Sequence, residues 1–199
     1  MNAPATSDLC DAHKGEESLR VLPPAFKNFG ARARFFGPVS TVKCFEDNSL
    51  VKAAVDSPGQ GRVLVVDGGG SLRRALLGGN LGAAAARNGW AGVVVDGAVR
   101  DSLEIDEMDY PVFSVGTNPN GPTKNNGGRI GQPVSVGGVT VHPGDFIIGD
   151  GDGVVVVERE ALAGLLPLAE HKVQAEAKRI AQIKQGNTSA SWLRIEAIR

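Results

Sequence analysis

Two short apolar runs, Arg62 to Val66 (RVLVV) and Ala91 to Val95 (AGVVV), flank a glycine-rich stretch and the alanine-rich segment Leu81 to Asn88 (LGAAAARN). Aliphatic runs of this length without polar alternation suit strands buried on both faces. The alanine-rich segment favours helix, and Gly89 behind it is a natural C-terminal stop. Strand, glycine loop, helix, strand is a βαβ unit with a right-handed crossover between parallel strands. It predicts an α/β fold with a mainly parallel central sheet.

The rest of the chain fits around that unit. Thr6 to His13 reads as a short helix, with side-chain oxygens of Thr6, Ser7 and Asp8 available as caps before Leu9. Leu22-Pro23-Pro24 is a breaker. Phe35 to Cys44 reads as a strand and Ser49 to Val55 as a brief helix that stops at Pro58-Gly59. Val112 to Val115 is a further strand. The Asn-, Pro- and Gly-rich loop Gly116 to Gly128 is long enough to imply function or mobility. Val134 to Val141, Phe146 to Ile148 and Gly153 to Glu158 read as strands, and Arg159 to Gln185 as one or two helices with a kink at Pro167. The ending around Trp192 packs either on its own domain or on a neighbouring subunit. At 199 residues the whole is expected to be one domain, 1–199, with a core of about 6–158 and a helical tail of 159–199.

Charge narrows the function. Lys+Arg 21 against Asp+Glu 22 leaves no global field to attract nucleic acid or an anionic membrane. No apolar stretch reaches the length of a membrane span, and the N-terminus lacks an export pattern, so a cytoplasmic location is expected. Cys10 and Cys44 read as free thiols in a reducing cytosol. His13, His142 and His171 show no paired spacing for zinc. GGGSLRR is no phosphate loop, because no Gly-Lys-Ser/Thr follows. Gly149 to Gly153 (GDGDG) reads as a tight turn rather than a calcium loop.

The chemistry concentrates between Asp67 and Glu104. Gly78-Gly79-Asn80-Leu81 lies before a helix, and Asp96 to Asp101 lies after a strand, both at the carboxyl edge where α/β sheets bind ligands. Backbone amides at that helix N-terminus suit a carboxylate. Arg100 offers a fixed planar cation for a keto oxygen, Asp101 a hard oxygen ligand for Mg²⁺ or Mn²⁺, and Glu104 a second carboxylate. A surface ion pair explains Arg100-Asp101 equally well on spacing alone. Arg73 and Arg74 either reach a distal substrate carboxylate or begin a solvated helix.

VVDGGGSLRRALLGGNLG, NGWAGVVVDGAVRD, GDGVVVV and the upstream TVKCFEDN together resemble the RraA-like proteins, over about Thr6 to Glu158. That family contains divalent-metal 4-hydroxy-4-methyl-2-oxoglutarate aldolases and regulators of ribonuclease E activity. The resemblance implies a β/β/α layered single-domain sandwich, a homotrimer or dimer of trimers, and a small 2-keto acid substrate. Arg100-Asp101-Ser102-Leu103-Glu104 matches the aldolase type. The implied roles are Asp101 as metal ligand supported by Glu104, Arg100 stabilising a pyruvate enolate, and the Gly78, Gly79, Asn80 and Leu81 backbone receiving the substrate carboxylate. Oxaloacetate decarboxylation would share that enolate. The alternative is a non-catalytic regulator that binds a ribonuclease. One departure stands out: the aldolases usually carry a carboxylate twenty-one residues before the arginine, where this chain has Gly79 followed by Asn80. On that ground decarboxylation is expected to exceed aldol cleavage, and an aspartate at position 79 or 80 to raise the aldolase rate.

Overall fold

The computed structural model describes residues 4–13 and 17–185. In chain order the elements are α1 (Thr6–Ala12), β1 (Leu19–Val21), β2 (Lys27–Asn28), β3 (Phe35–Lys43), α2 (Ser49–Val55), β4 (Val63–Asp67), β5 (Ala75–Leu77), α3 (Gly79–Arg87), β6 (Gly92–Val99), α4 (Ser102–Asp106), β7 (Val112–Thr117), β8 (Arg129–Ile130), β9 (Val134–Val136), β10 (Val139–Val141), β11 (Phe146–Gly149), β12 (Val154–Val157) and α5 (Leu162–Lys184). The ending around Trp192 lies outside the described residues.

The strands β3, β4, β6 and β7 pair in parallel, in that order, and form the expected centre. Antiparallel strands flank it, with β11, β12 and β1 on the β3 side and β2 beyond β7. The two halves turn on β3. Its first residues, Phe35 to Pro38, pair with β11, while Val39 to Lys43 pair with β4. One nine-residue strand thereby belongs to two sheets that fold over one another.

Side-chain alternation then sorts the core into layers. In β4, Leu64 and Val66 face α2 and α3 with Val93 and Val95 of β6, whereas Val63, Val65 and Val94 face the second sheet with Ile147, Val154 and Val156. This is the β/β/α layering that the resemblance implies. Beyond the second sheet, Ile148, Val155 and Val157 meet Leu9 of α1 and Leu165 of α5, so its outer face is covered as well.

Several local expectations shift. The predicted side-chain caps of α1 are not used: Ala5 is the N-cap, and Thr6 donates instead from its backbone N–H and Oγ1 to Asp150, at 2.8 and 2.7 Å. Asp150 is buried and anchors α1 from the GDGDG turn. Val134 to Val141 is a hairpin, reversed at Gly137-Gly138 by φ angles of +55° and +81°. The tail is one helix that continues through Pro167. No helix among the described residues is long and apolar enough to cross a membrane.

Candidate active site

Arg100 and Asp101 sit where β6 gives way to α4. The Arg100 N–H donates to Leu77 O at 2.9 Å, so pairing with β5 persists up to the turn. Asp101 then adopts φ +56°, ψ +42°, a left-handed conformation that Asp tolerates better than most residues. Its carbonyl accepts from Ile105 N–H at 3.0 Å, starting α4. The reversal turns the Asp101 side chain back onto the N-terminus of α3, where Gly79 N–H donates to Oδ2 at 3.2 Å. Arg100 Nε lies 3.6 Å from the same oxygen, and both side chains remain partly exposed.

The glycines of this turn let three side chains approach the backbone closely. A Cβ at Gly78 would stand 2.5 Å from Asp101 Oδ2 and 3.1 Å from Arg100 Cγ, and a Cβ at Gly79 would collide with Glu104 Oε2. Arg100, Asp101 and Glu104 thus converge on the start of α3, two of them against Gly78 and the third against Gly79. The carboxylate absent from position 79 in sequence is present there in space, delivered by α4. An aspartate at 79 would require the exposed Glu104 carboxylate to swing aside. Of the amides expected to receive a substrate carboxylate, those of Gly79 and Leu81 already have acceptors, Asp101 Oδ2 and Gly78 O.

Beside these groups lies a cavity of about 280 Å³, lined by Gly78, Asn80, Leu81, Arg100 and Asp101 together with residues of two other segments. Asn48 and Lys52 come from the start of α2, and Pro122 and Lys124 from the 116–128 loop. Sequence reading missed both lysines, because neither stands in a motif and they meet only across the folded chain. Arg73 and Arg74 have other partners. Arg73 Nε is 2.5 Å from Glu46 Oε1 with its guanidinium over Phe45, and Arg74 Nη1 donates to Gly121 O at 2.7 Å. They precede β5, not a helix.

The other buried carboxylates at this sheet edge are structural. Asp67 accepts from Lys43 Nζ at 2.7 Å, Gly69 N–H at 3.0 Å and Ser135 N–H at 3.2 Å. Asp96, its register partner, accepts from Gly137 N–H at 2.8 Å and so helps hold the β9–β10 hairpin down. Burial pushes the Asp96 carboxyl up, with Asp67 adding to the effect and the Gly137 hydrogen bond opposing it. Cys44 is pushed up to about 12, first by burial and then by Asp47 and Asp67, which makes it an inert core thiol. A larger cavity of about 610 Å³, lined by Lys43, Cys44, Phe45, Asp67 and Arg129 among others, lies on this side.

A small divalent cation suits the donors present. Asp101 and Glu104 are hard oxygen ligands that approach adjacent residues of one helix N-terminus. No group of three or more His, Cys, Asp or Glu side chains placed to hold a metal occurs among the described residues. Mg²⁺ in particular binds through one or two carboxylates and keeps its remaining positions for water and substrate.

Known proteins share this arrangement of sequence and fold. The family described as RraA-like, Aldolase/RraA, matches residues 6–156. A protein of Albidiferax ferrireducens, provisionally named 4-hydroxy-4-methyl-2-oxoglutarate aldolase, is 56% identical over 162 residues, covering 76% of this chain and 94% of that protein. Its counterpart in Cupriavidus necator, under the same provisional name, is 50% identical over 156 residues, with coverage of 77% and 94%. Among solved structures, one described as the RNA-processing inhibitor RraA from Thermus thermophilis superposes with a TM-score of 0.73 at 46% identity, covering 79% of this chain and 93% of that one.

Proposed function

The chain belongs to the RraA-like family, and on that premise we propose that it is a divalent-metal-dependent class II aldolase. It cleaves 4-hydroxy-4-methyl-2-oxoglutarate to pyruvate and also decarboxylates oxaloacetate. The observation that carries this reading is the convergence of Arg100, Asp101 and Glu104 on the α3 N-terminus, beside a cavity sized for a small keto acid.

Both reactions break the C3–C4 bond of a 2-keto acid. In oxaloacetate, CO₂ leaves, the bonding pair moves through C2 onto the keto oxygen, and protonation of the resulting enolate at C3 gives pyruvate. In the aldol substrate, the C4 hydroxyl loses its proton as the same bond breaks, releasing a second pyruvate. Asp101 would hold a divalent cation, with Glu104 supporting its water shell, and the cation supplies Lewis-acid polarisation of the keto group. Arg100 holds the guanidinium fork against the oxygen on which negative charge develops. Glu104 accepts the C4 hydroxyl proton in the aldol reaction. Lys52 and Lys124, which line the cavity, take the distal carboxylate of the dianionic substrate. The enzyme assembles as a homotrimer or dimer of trimers, for which exposed Phe45, Leu72 and Leu103 offer apolar contacts.

The test is pyruvate release from each keto acid by protein treated with EDTA, before and after Mg²⁺ or Mn²⁺ is restored. Release that returns with the metal supports the proposal, and no release under either condition removes it. The 46% identity to the Thermus protein favours one second reading, a non-catalytic regulator that binds a ribonuclease. An inactive chain that captures and slows such a nuclease would establish it.

A further inference from the structure

Two walls of the cavity that Arg100 lines come from segments far apart in the chain, and one buried carboxylate touches both. Asp47 is 4% exposed. Its Oδ1 accepts from Ser49 N–H at 2.9 Å, fixing the first turn of α2, the wall that carries Asn48 and Lys52. Its Oδ2 accepts from Asn125 N–H, and Thr123 Oγ1 stands within donating distance of both Oδ2, at 3.2 Å, and Glu46 O, at 3.1 Å; both residues lie in the 116–128 loop, the wall that carries Pro122 and Lys124. Backbone bonds flank this joint. Thr123 N–H donates to Glu46 O at 2.8 Å and Asn48 N–H to Thr123 O at 3.3 Å, so residues 46–48 and 123 form a bridge. At its other end the loop is drawn toward Arg100: Gly121 O accepts from Arg74, and a Cβ on Gly121 would stand 3.0 Å from Arg100 Nη1.

A loop rich in Asn, Pro and Gly has little intrinsic order, and Asp47 supplies it from a side chain that is not among those lining the cavity. A buried carboxylate left without these donors would be costly, which makes the joint hard to open part-way. We propose that Asp47 is a positioning residue, which ties the 116–128 loop to α2 and thereby sets the spacing of Lys52 and Lys124 for the distal carboxylate of a dicarboxylic 2-keto acid. This rests on the substrate class proposed above. The residue acts through the two walls and not on the reacting atoms.

The experiment compares Asp47→Ala and Thr123→Val with the wild type, using the full chain with Mg²⁺. Thr123→Val removes only the loop-side hydroxyl and leaves the α2 start intact, so it reports even where Asp47→Ala folds poorly. Asp150→Asn, which loosens α1 far from the cavity, serves as the destabilised control. Both joint variants are expected to speed amide exchange across residues 118–126. They are also expected to raise KM for oxaloacetate about tenfold while kcat changes about twofold or less, the pattern of lost substrate binding. Inhibition by pyruvate, which lacks the distal carboxylate, stays unchanged. The control changes none of these. Faster loop exchange with unaltered KM, an equal loss of pyruvate binding, or unaltered exchange would each overturn the proposal. A wild type that turns over neither keto acid would instead remove the proposed function, and the exchange result would still decide whether Asp47 holds the loop.

Discussion

Gly79 and Glu104 share one volume: the space that a side chain at 79 would fill is already occupied by the Glu104 carboxylate. The two positions are therefore coupled, and their variants will not add. Gly79→Asp alone is expected to lower activity and stability, because it forces two carboxylates together. Gly79→Asp combined with Glu104→Gly relocates the carboxylate and should recover aldol cleavage to within about tenfold of wild type. Glu104→Gln should lower aldol cleavage about a hundredfold, the lower end of general-base assistance, and decarboxylation much less, since that step removes no proton. Measuring kcat/KM for both substrates decides it; an equal fall in the two would show that Glu104 acts only in holding the metal.

Asp101→Ala should abolish metal-dependent pyruvate release while costing only about 1–2 kcal/mol of stability, the cost of alanine in this left-handed position, because the side chain is partly exposed and its hydrogen bond to Gly79 is long. Calorimetric titration with Mn²⁺ supplies the second readout, and binding as tight as in the wild type would remove Asp101 from the ligand set.

Arg100→Lys preserves charge but loses the planar fork, and is expected to reduce kcat about a hundredfold or more, the scale of a lost transition-state donor. An effect confined to a small rise in KM would place Arg100 in ground-state binding alone.

Asp150 governs acid sensitivity at the other end of the molecule. Burial by itself would raise its carboxyl, but hydrogen bonds from Thr6 N–H, Thr6 Oγ1, Asp152 and Gly153 outweigh it and hold the group below its ordinary value of 3.8. The ionised form therefore stabilises the fold. That contribution is complete above the unfolded-state value and is lost as pH falls through the lower folded-state value. Asp150→Asn should cost about 2 kcal/mol at pH 7, about 4–8 °C in Tm for a chain of this size. The gap to wild type should close in strongly acid buffer; a gap constant with pH would assign it to packing.

Much of the architecture can be read from local pattern. The aliphatic runs became β4 and β6, the alanine-rich segment became α3, and Arg100-Asp101 emerged at the edge where the βαβ unit places it. What escaped depends on distance along the chain. β5 spans three residues after two arginines and has no period to betray it. Asp47, Asp67, Asp96 and Asp150 carry no local signal of burial, yet all four are buried, because each receives a backbone donor from a segment 41 or more positions away. Lys52 and Lys124 line one cavity although they stand far apart in the chain. The family resemblance supplied the roles proposed for the site residues, and spacing alone did not.

The double membership of β3 also has a consequence for how the chain is made. Val39 to Lys43 meet β4 soon after synthesis, but Phe35 to Pro38 find their partners only when Phe146 to Gly149 have been translated. Until then the valine face of β4 and β6 that the second sheet covers lies bare. The nascent chain thus carries an open, aliphatic sheet surface from the completion of β6 until β11 and β12 arrive, and that interval is the stage at which self-association and chaperone capture compete with folding.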